Sequence, residues 1–329
     1  MGRKLKYWLI SLLLIISQLT INPLQVKAAD YSFNNGLIRF DYISPSAINT
    51  TTGFLNQPYY HSSDGNWYKL TYSTYPLDYA LAVGGDGSSE WNLDGSYLDT
   101  QGELAIKDGT LNIDASGLIT ANGLTYGKLI TSGVNTVNGK DILVTNTFEL
   151  GLDKSFVKIT TKIQNQSLTE TLTNLRYWVG TRDDWVGGSD GPTKTKGTIQ
   201  NGVFTQIAST STRSSAIQIT TANEGVLFYT TEATANMSVN SCCSFSNATN
   251  QDPFSSTINT SGDGSYAMFI RLKDLAASAA QEVVWYYAAG ALSNLASVVN
   301  DVASAASSFS SITLKPDILS MSAFKDSAG

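Results

Sequence analysis

Histidine is almost absent from this 329-residue chain, which contains only His61. Multi-histidine metal sites are therefore excluded, and a Ser-His-Asp triad would have to use that one residue. Cysteine is nearly as rare, and Cys242 and Cys243 are adjacent, so they cannot join distant segments. They form either a vicinal disulfide in an oxidising compartment or two thiols, and the chain has no CxxC redox motif.

Charge is also scarce: charged residues make up 15% of the chain, and the net charge is −6. No cluster of Lys and Arg follows the N-terminus, which argues against nucleic acid and anionic membranes as partners. The chain has no phosphate-binding loop, dinucleotide fingerprint or G-x-S-x-G motif. Abundant Ser, Thr, Asn, Gly and Tyr with few charges are typical of an extracellular β protein.

A long apolar run is found only at the N-terminus. Basic residues at positions 3, 4 and 6 precede an apolar core at 9–16, and Val26 and Ala28 are the small residues of a cleavage site. Residues 1–28 are predicted to be a secretory signal, with an uncleaved anchor as the alternative. We expect a secreted or extracellular protein associated with the cell surface, with no membrane insertion after signal cleavage.

The rest of the chain is dominated by strand patterns. Asn-Gly pairs at 122, 138 and 201 predict tight hairpin turns, because both residues accept positive φ. Residues 155–165 alternate between apolar and polar side chains, as a half-buried strand does. We expect strand 172–180 to pair with it across a turn at 166–170, and further strands at 36–43 and 67–75.

One helix is predicted near the end, where residues 291–308 show apolar side chains at helical spacing. Residues 309–329 are predicted to be a polar tail or linker. The strands of residues 29–290 predict an all-β protein, a large antiparallel β-sandwich with one C-terminal amphipathic helix packed on it. The alternative is a division into two domains near residue 150.

Two blocks resemble known families. The run DILVTNTFELGLDKSFVKITTKIQNQSLTETLTNLRYWVGTRDD (141–184) resembles supersandwich-type β domains, which include galactose-mutarotase-like domains. The run GDGSYAMFIRLKDLAASAAQEVVWYYAAGALSNLASVVND (262–301) is similar to modules of large, repeat-bearing bacterial surface proteins. The first resemblance implies a supersandwich-like fold and no activity, because mutarotases rely on histidines plus an acid.

The densest chemistry lies in and after the strand that ends near residue 180. The candidate ligand-binding residues there are Trp178, Arg182, Asp183, Asp184, Trp185 and Asp190. In one interpretation, tryptophan stacks on a sugar ring while Arg and Asp bind hydroxyls. In a second, Asp183, Asp184 and Asp190 bind Ca²⁺ through hard oxygen ligands. In a third, Arg176 and Arg182 pair with aspartates and fix the loop, and the tryptophans fill the end of the sandwich.

Other carboxylates offer weaker alternatives. An acidic, Gly-rich segment around Trp91 could bind calcium or stay solvated, and it contains Asp86, Glu90, Asp94 and Asp99. A glycosidase would need two opposed carboxylates, and its candidates are Asp183, Asp184, Glu149, Glu103 and Glu90. Spacing along the chain assembles no such pair.

With no coherent catalytic set, the sequence favours a non-enzymatic β-sandwich module that acts in adhesion or surface assembly, with an extracellular glycan or surface protein as its partner. The alternative is a carbohydrate-binding or carbohydrate-active protein, the latter a carboxylate-based hydrolase or lyase. Calcium is the only cofactor that the residues suggest.

Overall fold

A computed structural model describes residues 30–73, 75–84, 106–242 and 257–312. The predicted signal sequence, the acidic segment around Trp91 and most of the predicted C-terminal tail lie outside these ranges. Within them, 17 strands and one α-helix are present. No helix of the described part is long and apolar enough to span a bilayer.

The strands, in chain order, are β1 (Ile38–Arg39), β2 (Tyr59–His61), β3 (Trp67–Lys69), β4 (Asp78–Ala82), β5 (Asn112–Ala121), β6 (Leu124–Val137), β7 (Lys140–Leu150), β8 (Phe156–Asn165), β9 (Arg176–Thr181), β10 (Thr193–Gln200), β11 (Val203–Gln206), β12 (Ala216–Thr220), β13 (Glu224–Thr230), β14 (Ala235–Ser241), β15 (Asn259–Ser261), β16 (Gly264–Arg271) and β17 (Ala280–Ala291). The helix α1 (Leu295–Ile312) follows a 3-10 turn at Leu292–Asn294. The two strands predicted at 36–43 and 67–75 are thus much shorter than expected.

The described strands form three antiparallel sheets. The large sheet has the order β11-β10-β12-β13-β17-β8-β7-β6-β5, with β15 also paired to β10. The small sheet has the order β14-β16-β9-β4, and β1, β2 and β3 form the third. The all-β, antiparallel sandwich predicted from the sequence is confirmed. Strands β7 and β8, on either side of residue 150, are neighbours in the large sheet.

The predicted hairpin turns are confirmed where Asn-Gly pairs connect consecutive strands. Asn122, Asn138 and Asn201 have φ of 53°, 48° and 51°, and each is followed by a glycine with positive φ. These turns connect β5 to β6, β6 to β7, and β10 to β11. Positive φ at both central residues gives the turn a twist that matches the strands it connects.

The predicted pairing of 172–180 with 155–165 is wrong. Strand β8 pairs with β7 and β17, whereas β9 pairs with β16 and β4 in the small sheet. The chain crosses from one sheet to the other between them. All six residues of β9 are buried, so its side chains lack the alternation that would indicate a half-solvated hairpin strand.

The main core lies between the large and small sheets. It includes Phe228, Trp285 and Tyr177, all with no exposed surface. Tyr266 of the small sheet and Tyr287 of the large sheet join their hydroxyl groups at 2.9 Å inside this core. The two sheets are therefore held by apolar packing and by a buried hydrogen bond that satisfies both hydroxyls.

Helix α1 covers the outer face of the large sheet. Its buried side chains Val298, Val299 and Val302 contact a cluster that includes Leu227 and Tyr286. The predicted range of 291–308 was shifted by a few residues, because the first turn is 3-10 and the α-helix starts at Leu295. The 3-10 turn brings residues 291–293 beside the start of β13, where Leu292 donates its backbone N–H to the Asn223 carbonyl at 2.7 Å.

Candidate functional site

Trp178 does not belong to a ligand-binding surface. It lies on β9, where the flanking Tyr177 and Val179 belong to the main core and Trp178 belongs to a separate apolar cluster. The other members of that cluster are Ala80, Ala82, Ala267 and Phe269. None of the surface of Trp178 is exposed. Its place among the predicted ligand-binding residues is therefore wrong, since a fully buried ring cannot stack on a sugar.

Asp184 serves the loop that follows β9 as half of a buried ion pair. Its carboxylate accepts a hydrogen bond from Lys194 Nζ, and neither side chain is exposed. Lys194 also donates to the carbonyls of Gly262, at 2.6 Å, and Pro192, at 3.3 Å. Burial raises the pKa of Asp184 to about 7, and the charge of Lys194 opposes that rise. An ion pair thus fixes the loop, as in the third interpretation, but its cation is Lys194, whereas the sequence suggested Arg176 and Arg182.

Asp183 lies in a more acidic environment than Asp184. Its side chain is buried, and burial, Asp263 and Asp190 together raise its pKa to about 6. Ligand atoms of Asp183, Asp263 and Cys242 lie within 4.8 Å of one another. Cys242 is disulfide-bonded, so its sulfur is not a thiolate that could bind a metal.

The three aspartates predicted to bind calcium therefore have different surroundings. Asp184 is paired with Lys194, Asp183 lies beside Asp263, and Asp190 is exposed. Asp263, which sequence reasoning missed, is closer to a metal-ligand arrangement with Asp183 than Asp184 is. Calcium binding stays a prediction. The vicinal disulfide stays one as well, because Cys243 lies outside the described residues.

Arg182 and Trp185 both take part in cation–π contacts. The Arg182 guanidinium lies 5.4 Å from the ring centroid of Tyr75, and only 6% of Arg182 is exposed. The Lys69 ammonium lies 3.8 Å from the Trp185 ring centroid and 4.3 Å from that of Tyr72. Trp185 is half-buried, and the lysine covers part of its ring.

The end of this loop is a two-residue turn. Val186 and Ser189 exchange backbone hydrogen bonds of 3.1 and 3.0 Å, and between them Gly187 and Gly188 have φ of 57° and 74°. Two consecutive positive φ angles favour glycine strongly. A Cβ on Gly188 would lie 3.8 Å from the ring of Tyr68, so the turn packs against β3.

Gly187 forms part of the wall of a cleft of about 630 Å³. The cleft lies where four segments meet: the β2–β3 turn, the Gly187 turn, the β12–β13 turn and the junction of β17 with the 3-10 turn. Its lining residues are Ser62, Ser63, Asp64, Tyr68, Gly187, Ala222, Asn223, Glu224, Ala291, Leu292 and Ser293. The volume is in the range of small-ligand sites, about 300–1,000 Å³.

Glu224 is the most unusual group in this cleft. It is the first residue of β13, only 3% of it is exposed, and its Oε2 has no hydrogen-bond partner among the described residues. Burial is the main cause that raises the pKa of Glu224, and the negative charge of Asp64 adds to the rise. Hydrogen bonds from the Ser62 side chain and the Gly187 backbone oppose the rise. A buried carboxylate oxygen that lines a cleft without a partner is a strong acceptor for a ligand donor.

Asp64 has the opposite electrostatic environment. The Tyr68 hydroxyl donates to Asp64 Oδ2 at 2.7 Å, and the backbone and side chain of Asn66 donate to its two oxygens at 2.9 and 3.1 Å. These hydrogen bonds hold the pKa of Asp64 below its usual value, so the group is ionised. The cleft thus has two carboxyl groups whose pKa values are shifted in opposite directions.

Sequence reasoning missed Asp64, Tyr68 and Glu224. A local signal existed for Glu224, because an acidic residue stands at the head of the otherwise apolar run Gly-Val-Leu-Phe-Tyr. No local signal joins it to Asp64, since Asp64 lies in the β2–β3 turn and Glu224 starts β13, far away in the sequence. Of the other glycosidase candidates, Glu149 forms an ion pair with Lys158 at 2.8 Å, whereas Glu90 and Glu103 lie outside the described residues.

No family model matches this chain, and no curated protein does. Among solved structures, the chain is similar to a galactose mutarotase-like protein from Lactobacillus casei, with 8% identity, a TM-score of 0.42, and coverage of 79% of this chain and 99% of that one. A TPR-domain containing protein from Parabacteroides distasonis has 10% identity and a TM-score of 0.42, with 73% and 44% covered. A GH36 α-galactosidase from Geobacillus stearothermophilus has 9% identity and a TM-score of 0.30, with 66% and 32% covered. These values transfer neither activity nor residue roles to this chain.

Proposed function

We propose that this protein binds carbohydrate in the cleft formed by Asp64, Tyr68 and Glu224. The observation that carries the proposal is Glu224, a buried residue of the cleft wall whose Oε2 has no hydrogen-bond partner among the described residues. A buried acceptor without a partner costs about 1–3 kcal/mol, and a charged one costs more. A ligand hydroxyl placed there would recover that free energy.

The rest of the lining suits a polyhydroxylated ligand. Ser62, Ser63 and Ser293 offer hydroxyls, and Asn223 lines the same cleft. Each hydroxyl can both donate and accept, which is the pattern that sugar hydroxyls require. Tyr68 adds an aromatic ring beside these polar groups, and a few polar groups next to an aromatic ring are typical of small-molecule sites.

The proposal extends the sequence-based hypothesis of a surface module. If residues 1–28 direct secretion as predicted, the cleft would meet glycans outside the cell. Adhesion would then follow when the bound glycan is attached to another surface. Glycan binding is the primary claim, because the cleft residues support it directly.

Glycan-array screening followed by calorimetry tests this function. We expect the wild-type protein to bind at least one glycan class, and Glu224→Gln to weaken binding about tenfold, since hydrogen bonds to charged groups contribute about 1.5–3 kcal/mol. The matched control is Glu282→Gln, which makes the same change at an exposed position of β17. Absence of binding to every glycan, or equal affinities for the two variants, would overturn the proposal.

A second candidate function, glycoside hydrolysis, is favoured by the opposite pKa shifts of Asp64 and Glu224. Two carboxyl groups in one cleft, one with a raised and one with a lowered pKa, are the kind of pair that glycosidases use. Glu224 would protonate the leaving group, and Asp64 would act as the base or nucleophile. Hydrolysis of unactivated oligosaccharides by the wild type, but not by Glu224→Gln, would support hydrolysis, because a sugar leaving group needs the proton that Glu224 would supply. No hydrolysis of any oligosaccharide or aryl glycoside by the wild type would exclude it for these substrates.

A further inference from the structure

The cleft has an unbalanced charge. Its titratable lining residues are Asp64, Tyr68 and Glu224, and none of the eleven described lining residues is Lys, Arg or His. The negative charge of Asp64 raises the pKa of Glu224. The negative charge of Glu224 in turn raises the pKa values of the neighbouring phenols Tyr60 and Tyr68, which carry no positive charge. The described lining residues therefore present two carboxyl groups and no cation to a ligand.

The nearby basic side chains are engaged elsewhere. His61 stacks on Trp67 with ring centroids 4.8 Å apart and contacts the Gly65 carbonyl at 3.2 Å. Arg39 pairs with Asp41 at 2.8 Å. Lys69 lies over the rings of Trp185 and Tyr72 and donates to Ser73. None of these bases lines the cleft, so no counterion for Glu224 is found among its described lining residues.

We infer that the cleft selects a sugar that carries a free ammonium group, that is, an amino sugar whose amine is not acetylated. This inference rests on the proposed carbohydrate-binding function and names its ligand class. The ammonium would pair with the Glu224 carboxylate, and the sugar hydroxyls would meet the serines and Asp64.

An ammonium group suits this position better than a hydroxyl does. Charge-assisted hydrogen bonds are roughly twice as strong as neutral ones, and a carboxylate that is 3% exposed gains more from a counter-charge than an exposed one. N-acetylation removes the charge and replaces the ammonium with an amide, which has one N–H. A neutral sugar offers only hydroxyl donors. Both should therefore bind more weakly than the free amine.

Three oligosaccharides with the same β-1,4-linked backbone and the same length provide the test: oligomers of glucosamine, N-acetylglucosamine and glucose, compared by calorimetry at low ionic strength. We expect the wild type to bind the glucosamine oligomer about tenfold more tightly than the other two. Glu224→Gln should remove that preference, and Glu282→Gln should retain it. Asp64→Asn, a change at an exposed residue, should reduce the preference in part and gives a second variant if Glu224→Gln does not fold.

The outcomes separate the inference from the function on which it rests. Equal affinity for the three oligomers, with Glu224→Gln weakening all of them, would overturn the amine preference and leave carbohydrate binding intact. No binding of any oligomer or any arrayed glycan would overturn both. Spermidine serves as a cation without a sugar: if it binds as tightly as the glucosamine oligomer and depends equally on Glu224, the cleft recognises charge alone and the amino-sugar assignment is wrong.

Discussion

Replacing Lys194 by methionine removes the ammonium from an ion pair in which both side chains are fully buried. Methionine retains the apolar stem but leaves Asp184, Gly262 and Pro192 without the donor that Nζ supplies. Removing one partner of a buried pair costs about 3–5 kcal/mol, because the other charge stays buried and uncompensated. We therefore expect the free energy of unfolding of Lys194→Met to fall by about 3–5 kcal/mol, a large share of the 5–15 kcal/mol typical of a domain.

The loss should depend on pH. Burial already raises the pKa of Asp184 to about 7 against the opposing charge of Lys194. Without that charge the pKa rises further, so the variant can keep Asp184 neutral at pH 5.5 but has to bury a charge at pH 8. The destabilisation measured by urea unfolding with tryptophan fluorescence should therefore be larger at pH 8 than at pH 5.5.

A double-mutant cycle and a surface control complete this experiment. Lys194→Met combined with Asp184→Leu removes both charges and should recover much of the lost stability. Lys162→Met makes the same change at an exposed position of β8 and should shift the unfolding free energy by less than about 0.5 kcal/mol. The reasoning is refuted if Lys194→Met behaves like Lys162→Met, or if the two substitutions at the pair are simply additive.

Two further predictions concern the same region. Asp183 and Asp184 have pKa values of about 6 and about 7, above the ordinary 3.8, so the folded protein holds protons that the unfolded chain releases. The contribution of these groups to the free energy of unfolding should therefore fall as the pH rises from about 4 to about 7. Melting temperatures measured over this pH range should fall less steeply for Asp183→Asn than for the wild type. A slope of opposite sign, or one that Asp183→Asn leaves unchanged, would contradict this. Trp178→Ala should lower the free energy of unfolding by about 3–5 kcal/mol, because the ring is fully buried. Trp185→Ala should lower it by about 1 kcal/mol, because that ring is only half-buried and loses its contact with Lys69. Equal losses in urea unfolding would count against the placement of these rings.

Local patterns predicted those features whose cause is local. An Asn-Gly pair turns the chain because both residues tolerate positive φ, and Asn122, Asn138 and Asn201 do so here. Strand β8 was recognisable by its alternation, because only one of its faces meets the main core. The predicted pairing of β9 with β8 was wrong, because β9 pairs with β16 in the small sheet. A strand buried on both faces shows no apolar–polar alternation, and the sequence pattern does not indicate which sheet a strand joins.

The candidate sites show the same division. The composition of residues 182–190 indicated correctly that this segment is charged, aromatic and turn-forming. It did not indicate that Asp184 would meet Lys194, or that Gly187 would line a cleft.

The sequence by itself determined the all-β class, the Asn-Gly turns and the C-terminal helix, because hydrophobic periodicity and turn preference act over a few residues. Only the tertiary structure decided which carboxylates share a cleft. Asp64 and Glu224 lie far apart in the sequence, and both line the cleft because the β2–β3 turn and the β12–β13 turn converge beside the junction of β17 with the 3-10 turn. Burial, which raises the pKa of Glu224, and the hydrogen bonds that lower the pKa of Asp64 arise from that convergence.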